Sequence, residues 1–237
     1  MDQSHQEILR KIKRVANSNP QNTGWYYAGK YMGTPRPIYN ITNPQVRQIA
    51  KKWVKEHKDI SLAELLLVLN SFFEGKSHTE RTFGGKLLEY LPTLRKKIEP
   101  RYLDRWLTGA KGWSEVDSLC QSIFTAEELL NKWDAWKKLL KMFVKHKDVH
   151  KRRAALVLLT KPVRESNSHL LADMAFENID KLKSEKDILI TKAVSWLIRA
   201  LIQNHRQRVA FYIDVNKEFL PKIAVRETRR KLLTGKK

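Results

Sequence analysis

The sequence has a single cysteine, Cys120, among its 237 residues. One thiol cannot form an internal disulfide, so the fold does not depend on a disulfide framework and nothing indicates an oxidising compartment. Long apolar runs are also missing, because the most apolar stretch, 62–69, contains Glu64 and is too short to cross a bilayer. The N-terminus lacks the apolar segment of a signal peptide. We therefore expect a cytoplasmic protein, nucleoid-associated if prokaryotic, with no membrane partner.

Several catalytic motifs are absent as well. The chain has no G-x-S-x-G nucleophile elbow, no phosphate-binding loop and no nicotinamide fingerprint, which excludes the hydrolases, kinases and dehydrogenases that use them. The seven histidines are scattered, and the nearest pair, His146 and His150, has no neighbouring cysteine. We expect neither a metal ion nor an organic cofactor.

Helical periodicity dominates what is present. Alternation with period two is almost absent, whereas apolar residues recur at helical spacing, as at Ile8, Leu9, Ile12 and Val15. The pattern predicts an all-α fold with one extended loop at 33–44, where prolines and a glycine interrupt the periodicity. Helices are expected at 4–17, 44–57, 61–73, 78–91, 100–109, 114–124, 126–145, 149–160, 166–180, 186–203, 206–213 and 221–233.

Basic residues open several of these apolar runs at a regular interval. Arg81, Arg153, Lys192 and Arg226, with Asp117 midway between the first two, follow one another in steps of 36, 36, 39 and 34 residues. This interval suits a helix-pair repeat, and stacked helix pairs build a curved α-solenoid. An irregular helical bundle remains the alternative from spacing alone.

Basic side chains are in large excess over acidic ones. The chain has 46 Lys and Arg against 25 Asp and Glu, a net charge of +21. Both halves share it, with 20 basic and 12 acidic side chains in 1–120 and 26 and 13 in 121–237. Such uniform basicity indicates a polyanionic partner, with nucleic acid ahead of an anionic membrane surface.

The segment 113–117 contains a possible catalytic carboxylate. Trp113 and Asp117 are four residues apart and share a face if both are helical. Ser114 and Asp117 also match a helix capping box, so a structural role competes with a catalytic one. The two roles are compatible, because free backbone N–H groups near a helix start favour an ionised carboxylate.

Aromatic residues supply further candidates. Most of the seven tryptophans are expected in the core. Trp196 is the exception, because it follows Lys192 by four residues and precedes Arg199 by three. Close to Tyr31, the run 25–27 (Trp-Tyr-Tyr) either stacks on a ligand or anchors a loop. Cys120 is expected to be a small buried apolar residue.

The blocks 111–118, 152–156 and 192–199, in this order and spacing, resemble the DNA alkylation repair family of AlkD-type DNA glycosylases. The likeness extends weakly upstream to 30–47 and downstream to 220–227. Departures from the family pattern occur in the N-terminal element and in the first block. Asn40 replaces a frequent glycine, Asn43 interrupts an Ile-x-Thr-Pro element, and Ser114 replaces an acidic residue.

The resemblance implies a right-handed α-solenoid of HEAT-like repeats that forms a single domain over 1–237. In this interpretation 1–43 forms an N-terminal helix and loop, 44–233 forms helix pairs, and 234–237 is a basic tail. The expected partner is double-stranded DNA that contains alkylated bases. We expect a monomer with no obligate protein partner.

The resemblance also implies a monofunctional DNA glycosylase. It would hydrolyse the N-glycosidic bond of cationic alkylated purines, 3-methyladenine and 7-methylguanine, in base excision repair of alkylation damage. The family's catalytic carboxylate falls on Asp117, and its contacts to the lesion or sugar fall on Trp113, Trp196 and Tyr31. The expected DNA-binding cations are Arg153, Arg152, Lys192, Arg199 and Arg226.

Two other functions are compatible with the sequence. A non-catalytic paralogue could use the same fold to recognise distorted or branched DNA, since fold alone does not fix function. A helical-repeat scaffold would instead bind an acidic protein.

Overall fold

The computed structural model describes residues 1–20 and 25–236, without the side chains of 25–27. The predicted role of the aromatic run 25–27 and the last residue of the predicted basic tail, Lys237, therefore lie outside the described part.

The described residues form fifteen helices and no strand, which confirms the predicted all-α fold. The helices are α1 Gln3–Ser18, α2 Trp25–Met32, α3 Asn43–Glu56, α4 Leu62–Phe73, α5 His78–Tyr90, α6 Pro92–Arg95, α7 Tyr102–Trp106, α8 Gly112–Cys120, α9 Ala126–Asn131, α10 Trp133–Phe143, α11 Val149–Thr160, α12 Pro162–Glu165, α13 His169–Leu182, α14 Ile188–Asn216 and α15 Lys222–Thr234.

Short polar motifs determine where several helices begin. A capping box places a Ser or Thr side chain on a backbone N–H of the first turn and returns a Glu or Gln side chain to the cap. Four helices in the described part of the chain have this arrangement, and it satisfies N–H groups that have no partner within the helix. The pairs are Thr42 with Gln45, Ser61 with Glu64, Ser77 with Glu80 and Thr125 with Glu128.

The chain divides into two compact units, Met1–Leu119 and Cys120–Lys237. In the first unit α1 packs on α3 and α4, and both of these pack on α5. Trp53, Phe72 and Phe83 are fully buried in its core. The periodicity that predicted these helices therefore reports their buried faces.

The second unit is built around α11. This helix packs against α10, α13 and α14, and α14 packs along α15. Every residue of α11 from Arg153 to Thr160 is buried, as expected for a helix with neighbours on all sides. Helix α14 is kinked at His205, where φ is −132° and ψ is 39°, so its halves match the two predicted helices 186–203 and 206–213.

Neighbouring helices pack side by side within each unit, in agreement with the predicted HEAT-like helix pairs. Some boundaries differ from the prediction. The predicted helix 126–145 is broken at Lys132, which has φ −124° and ψ 39°, and the helices α2, α6 and α12 were not predicted. That residues 1–237 form a single domain stays a prediction.

The departures Asn40 and Asn43 fit the structure without disruption. Asn43 begins α3 directly after the Thr42 cap. The side-chain Nδ2 of Asn40 donates to the carbonyl of Pro20 at 2.9 Å, and the backbone carbonyl of Asn40 accepts from the side-chain Nδ2 of Asn19 at 2.7 Å. The extended loop predicted at 33–44 is confirmed as far as the start of α3.

None of the helices in the described part of the chain is long and apolar enough to cross a membrane.

Candidate functional site

Helix α8 carries the predicted carboxylate and one predicted aromatic. Trp113 and Asp117 lie one turn apart on this helix and therefore share a face. Asp117 is buried, with 7% of its surface exposed, whereas Trp113 is half-buried. The helix thus holds a shielded carboxylate next to an indole that solvent or a ligand can reach.

The structure brings Tyr31 to Trp113. The indole Nε1 of Trp113 donates to the backbone carbonyl of Tyr31 at 2.8 Å. The two ring centroids are 5.4 Å apart with an interplanar angle of 82°, an edge-to-face arrangement. Tyr31 is 73% exposed, so the pair presents an aromatic surface beside the helix face of Asp117.

The predicted capping box of Ser114 and Asp117 is wrong. Helix α8 begins at Gly112, two residues before Ser114, and the Ser114 hydroxyl lies 3.0 Å from Nε2 of His78. Asp117 is the sixth residue of the helix and lies beyond the first turn, so it is not a capping residue of the helix start. Burial lowers the pKa of His78, which favours the neutral imidazole at this contact.

Glu115 holds the start of α8 instead. Its Oε1 accepts from the Thr34 hydroxyl at 3.0 Å and pairs with Nε of Arg36 at 3.2 Å. Its Oε2 accepts from the backbone N–H of Lys111 at 3.0 Å and pairs with Nε of Arg81 at 3.1 Å. Each carboxylate oxygen therefore has one guanidinium and one neutral donor, which matches the needs of a buried charge.

The two arginines also fix the turn before α8. Arg36 donates through Nη2 to the carbonyl of Gly109 at 2.7 Å, and Arg81 donates to the carbonyl of Thr108 at 3.0 Å. Burial lowers the pKa of the Arg81 guanidinium, and Glu115 counteracts that effect. The carboxylate and its partners thus join the loop after α2, helix α5 and helix α8.

Backbone contact replaces side-chain contact where α2 ends. Gly112 has φ +67°, and a Cβ atom built on it would lie 1.9 Å from the carbonyl oxygen of Met32. Gly33, the residue after Met32, has φ +71°. Glycine permits both the left-handed backbone and this close approach.

In the second unit, α14 carries three predicted residues. Lys192 is exposed, and Trp196 is half-buried one turn further along. Arg199 is buried, with 8% of its surface exposed. Lys192 and Trp196 therefore share a helix face that can contact a ligand.

Arg199 is committed to contacts inside the protein. Its Nη2 pairs with Oε2 of Glu227 at 3.1 Å, and its Nε donates to the carbonyl of Ser195 at 3.0 Å. The Ser195 hydroxyl donates to the same oxygen of Glu227 at 2.8 Å. Burial lowers the pKa of Arg199, and Glu227 counteracts that effect. These bonds link α14 to α15, and DNA contact by Arg199 stays a prediction.

Arg152 is similarly engaged. Its Nε and Nη2 bind Glu185 at 2.8 and 3.1 Å, a bidentate pair, and its Nη1 donates to the carbonyls of His146 and Lys147. Arg153 is buried and donates to the carbonyl of Leu189 at 2.6 Å, which joins α11 to the start of α14. Both residues have contacts within the protein, and DNA contact by Arg152 and Arg153 stays a prediction.

Exposed cations lie elsewhere. Arg226 is exposed on α15. Helix α3 has exposed cations at Arg47, Lys51 and Lys55, spaced four residues apart on one face. They line a hollow of about 930 Å³ together with Pro44, Gln48, Lys52 and Glu56. This α3 face was not among the predicted DNA-binding residues.

Three further residues were missed from the sequence. Gly112 and Glu115 lie within the block 111–118, but they contact residues 32–36, which are distant in the sequence. Glu227 is the sole acid in the basic run 226–237, and that isolation is a signal that could have indicated an internal ion pair.

Comparisons with known proteins bear on this arrangement. The family described as DNA alkylation repair enzyme matches residues 15–232. A solved structure described as a predicted DNA alkylation repair enzyme from Enterococcus faecalis is similar, with a TM-score of 0.72 and 17% identity, covering 91% of this chain and 99% of that chain. No curated protein matches the chain. Because the family match extends over most of the sequence, the chain belongs to the DNA alkylation repair enzyme family.

Proposed function

We propose that this protein is a monofunctional DNA glycosylase that hydrolyses the N-glycosidic bond of cationic alkylated purines, such as 3-methyladenine and 7-methylguanine, in duplex DNA. The observation that carries the proposal is the buried carboxylate of Asp117, which shares a helix face with the half-buried Trp113 in a chain of net charge +21. Family membership supports a role in the repair of alkylated DNA.

The proposed chemistry needs few functional groups. Cleavage of an N-glycosidic bond develops an oxocarbenium-like sugar, and glycosidases commonly use one carboxylate for that cation or water and a second to protonate the leaving group. An alkylated cationic purine departs as a neutral base, so the second group is unnecessary. One carboxylate is then sufficient.

Asp117 takes that role in the proposal. Its negative charge stabilises the developing sugar cation, and electrostatic stabilisation is strongest where water is excluded. Burial of Asp117 supplies such an environment. The carboxylate can also orient the attacking water.

The aromatic residues bind the cationic lesion or sugar. Trp113 and Trp196 are half-buried and Tyr31 is exposed, so part of each ring can contact a ligand. A cation over such a ring gains about 0.5–2 kcal/mol, with the larger value in a desolvated site. These contacts orient the substrate without an acid or base.

Exposed cations bind the phosphates. Lys192 and Arg226 in the second unit and the α3 face (Arg47, Lys51 and Lys55) in the first are candidates, because all five side chains are exposed. Each contact releases counterions from the duplex, so binding should weaken steeply with salt.

Base release from methylated duplex tests this proposal. The wild type should release 7-methylguanine in a single-turnover assay, and Asp117→Asn should abolish release while duplex affinity stays largely intact. Asp134→Asn is the matched control, because Asp134 is an exposed aspartate on α10. Trp196→Ala should lower the rate less than Asp117→Asn.

Two results would contradict the proposal. Binding of the duplex by the wild type with no base release favours the non-catalytic paralogue. Full activity of Asp117→Asn would refute the assignment of the carboxylate.

A further inference from the structure

We propose that Gly112 and Glu115 are positioning residues that hold residues 31–36 against the start of α8 and thereby place Tyr31 next to Trp113. We call residues 31–36 the arm. The inference deepens the proposed function and rests on it for the catalytic measurements, whereas the position of the arm can be measured independently.

The first attachment of the arm is made by backbone alone. A Cβ atom at Gly112 would lie 1.9 Å from the carbonyl oxygen of Met32 and 2.7 Å from the carbonyl carbon of Gly33. Nonbonded heavy atoms prefer separations of about 3.5–4.0 Å, so any side chain at 112 must displace the arm by more than about 1 Å. The lack of a side chain at Gly112 therefore determines how close the arm lies to α8.

The second attachment is made by the Glu115 carboxylate. Thr34 and Arg36, both in the arm, bind its Oε1 at 3.0 and 3.2 Å. Arg36 also reaches the carbonyl of Gly109 at 2.7 Å. Thr34 and Glu115 are both buried, so water competes little for the bond between them.

The position of Tyr31 depends on these attachments. Its side chain is 73% exposed, so core packing does not hold it in place. Its backbone carbonyl accepts from Nε1 of Trp113 at 2.8 Å, and its ring meets the Trp113 ring edge to face. Because Met32 is the adjacent residue, a displacement at Gly112 transfers directly to Tyr31.

Gly112→Ala has a matched control in Gly109→Ala. The two glycines have nearly equal positive φ, +67° and +71°, so alanine causes similar backbone strain at both. A Cβ atom at Gly109 meets nothing within 4 Å, whereas at Gly112 it meets the arm. Alanine at 109 keeps the backbone carbonyl that accepts from Arg36, so the difference between the variants reports displacement of the arm by the side chain at 112.

Single-turnover release at saturating enzyme should fall about 10–100-fold in Gly112→Ala relative to Gly109→Ala, because a misplacement of about 1 Å has that effect on an oriented reaction. The affinity for undamaged duplex should be equal in the two variants. Equal release rates would overturn the proposal.

A double-mutant cycle with Tyr31→Ala separates positioning from general destabilisation. If Gly112 acts through Tyr31, Gly112→Ala should have less than a threefold effect once Tyr31 is alanine. Multiplicative effects in the double variant would show that Gly112 acts elsewhere and would overturn the proposal.

Hydrogen exchange tests the arm without any reaction. The amides of Gly33 and Thr34 donate to the carbonyls of Lys30 and Gly29, and these amides should exchange faster in Gly112→Ala than in Gly109→Ala. Equal exchange would overturn the proposal. Failure of the wild type to release base would instead refute the proposed function, and the exchange comparison would still decide whether Gly112 fixes the arm.

Thr34→Val and Thr34→Ser provide the same comparison if Gly112→Ala does not fold. Serine keeps the hydroxyl that binds Glu115, and valine keeps the shape without it. Faster exchange in the arm is expected in Thr34→Val but not in Thr34→Ser, and equal exchange in the two variants would overturn the proposal.

Discussion

Replacing Glu115 by glutamine tests whether a buried carboxylate holds the start of α8 in place. Glu115 is 4% exposed and has four contacts, two to guanidinium groups and two to neutral donors. Glutamine keeps one oxygen acceptor but places an NH₂ group, which cannot accept, against one of the two pairs of donors. It also removes the charge between Arg36 and Arg81.

The expected loss of stability follows from these contacts. Breaking a buried ion pair by removal of one partner costs about 3–5 kcal/mol, because the remaining charge stays buried. For a chain of 150–250 residues each kcal/mol lowers Tm by about 2–4 °C, which predicts a decrease of about 6–20 °C. Glu177→Gln should lower Tm by less than about 4 °C, since its pairs with Lys141 and Lys181 are partly exposed.

Thermal unfolding at pH 7, followed by far-ultraviolet circular dichroism and calorimetry, measures both variants. A decrease for Glu115→Gln that equals the decrease for Glu177→Gln would refute the reasoning. The Glu115 carboxylate would then contribute no more than a surface ion pair.

Two further predictions concern pH and salt. Burial opposes ionisation of Glu80, but hydrogen bonds from His5 and Ser77 outweigh it and lower its pKa from 4.5 to about 2. The ionised carboxylate therefore stabilises the fold above pH 4.5, and this contribution is lost as the pH falls towards 2. The free energy of unfolding measured against pH should show that loss in the wild type and in Glu64→Gln, a substitution in an exposed capping box. The curve should be flatter in Glu80→Gln. A curve of unchanged slope in Glu80→Gln would contradict the assignment of the lowered pKa to Glu80. Replacement of both Lys51 and Lys55 by glutamine should reduce the slope of log affinity against log salt by about 1.8 for duplex DNA. Lys52→Gln should change the slope little, because adjacent helical residues face different directions and Lys52 pairs with Glu56. Equal slopes would exclude phosphate contact by Lys51 and Lys55.

Local periodicity was sufficient to predict most of the fold, and capping boxes mark the starts of several helices in the structure. Apolar spacing reports the buried face of each helix, and Ser or Thr followed three residues later by Glu or Gln indicates where several helices begin. The same logic failed at Ser114, because α8 begins two residues earlier, at Gly112, and the Ser114 hydroxyl contacts His78 of α5 instead. A tertiary contact overrode a local motif.

The candidate site was predictable where it depends on spacing within one helix. Trp113 and Asp117 share a face of α8 because they are four residues apart. The partners of Glu115 were not predictable, since Thr34 lies 81 residues away in the sequence. The ion pair of Arg199 with Glu227 was not predictable either, because the two residues lie on different helices, and DNA contact by Arg199 stays a prediction.

The most direct test of whether Asp117 is the catalytic carboxylate of a DNA glycosylase is single-turnover release of 7-methylguanine from a methylated duplex. The wild type and Asp117→Asn are compared at saturating enzyme. We predict release by the wild type and none by Asp117→Asn, with both proteins binding the duplex. Equal release by the two proteins, or none by a wild type that binds the duplex, would contradict the account.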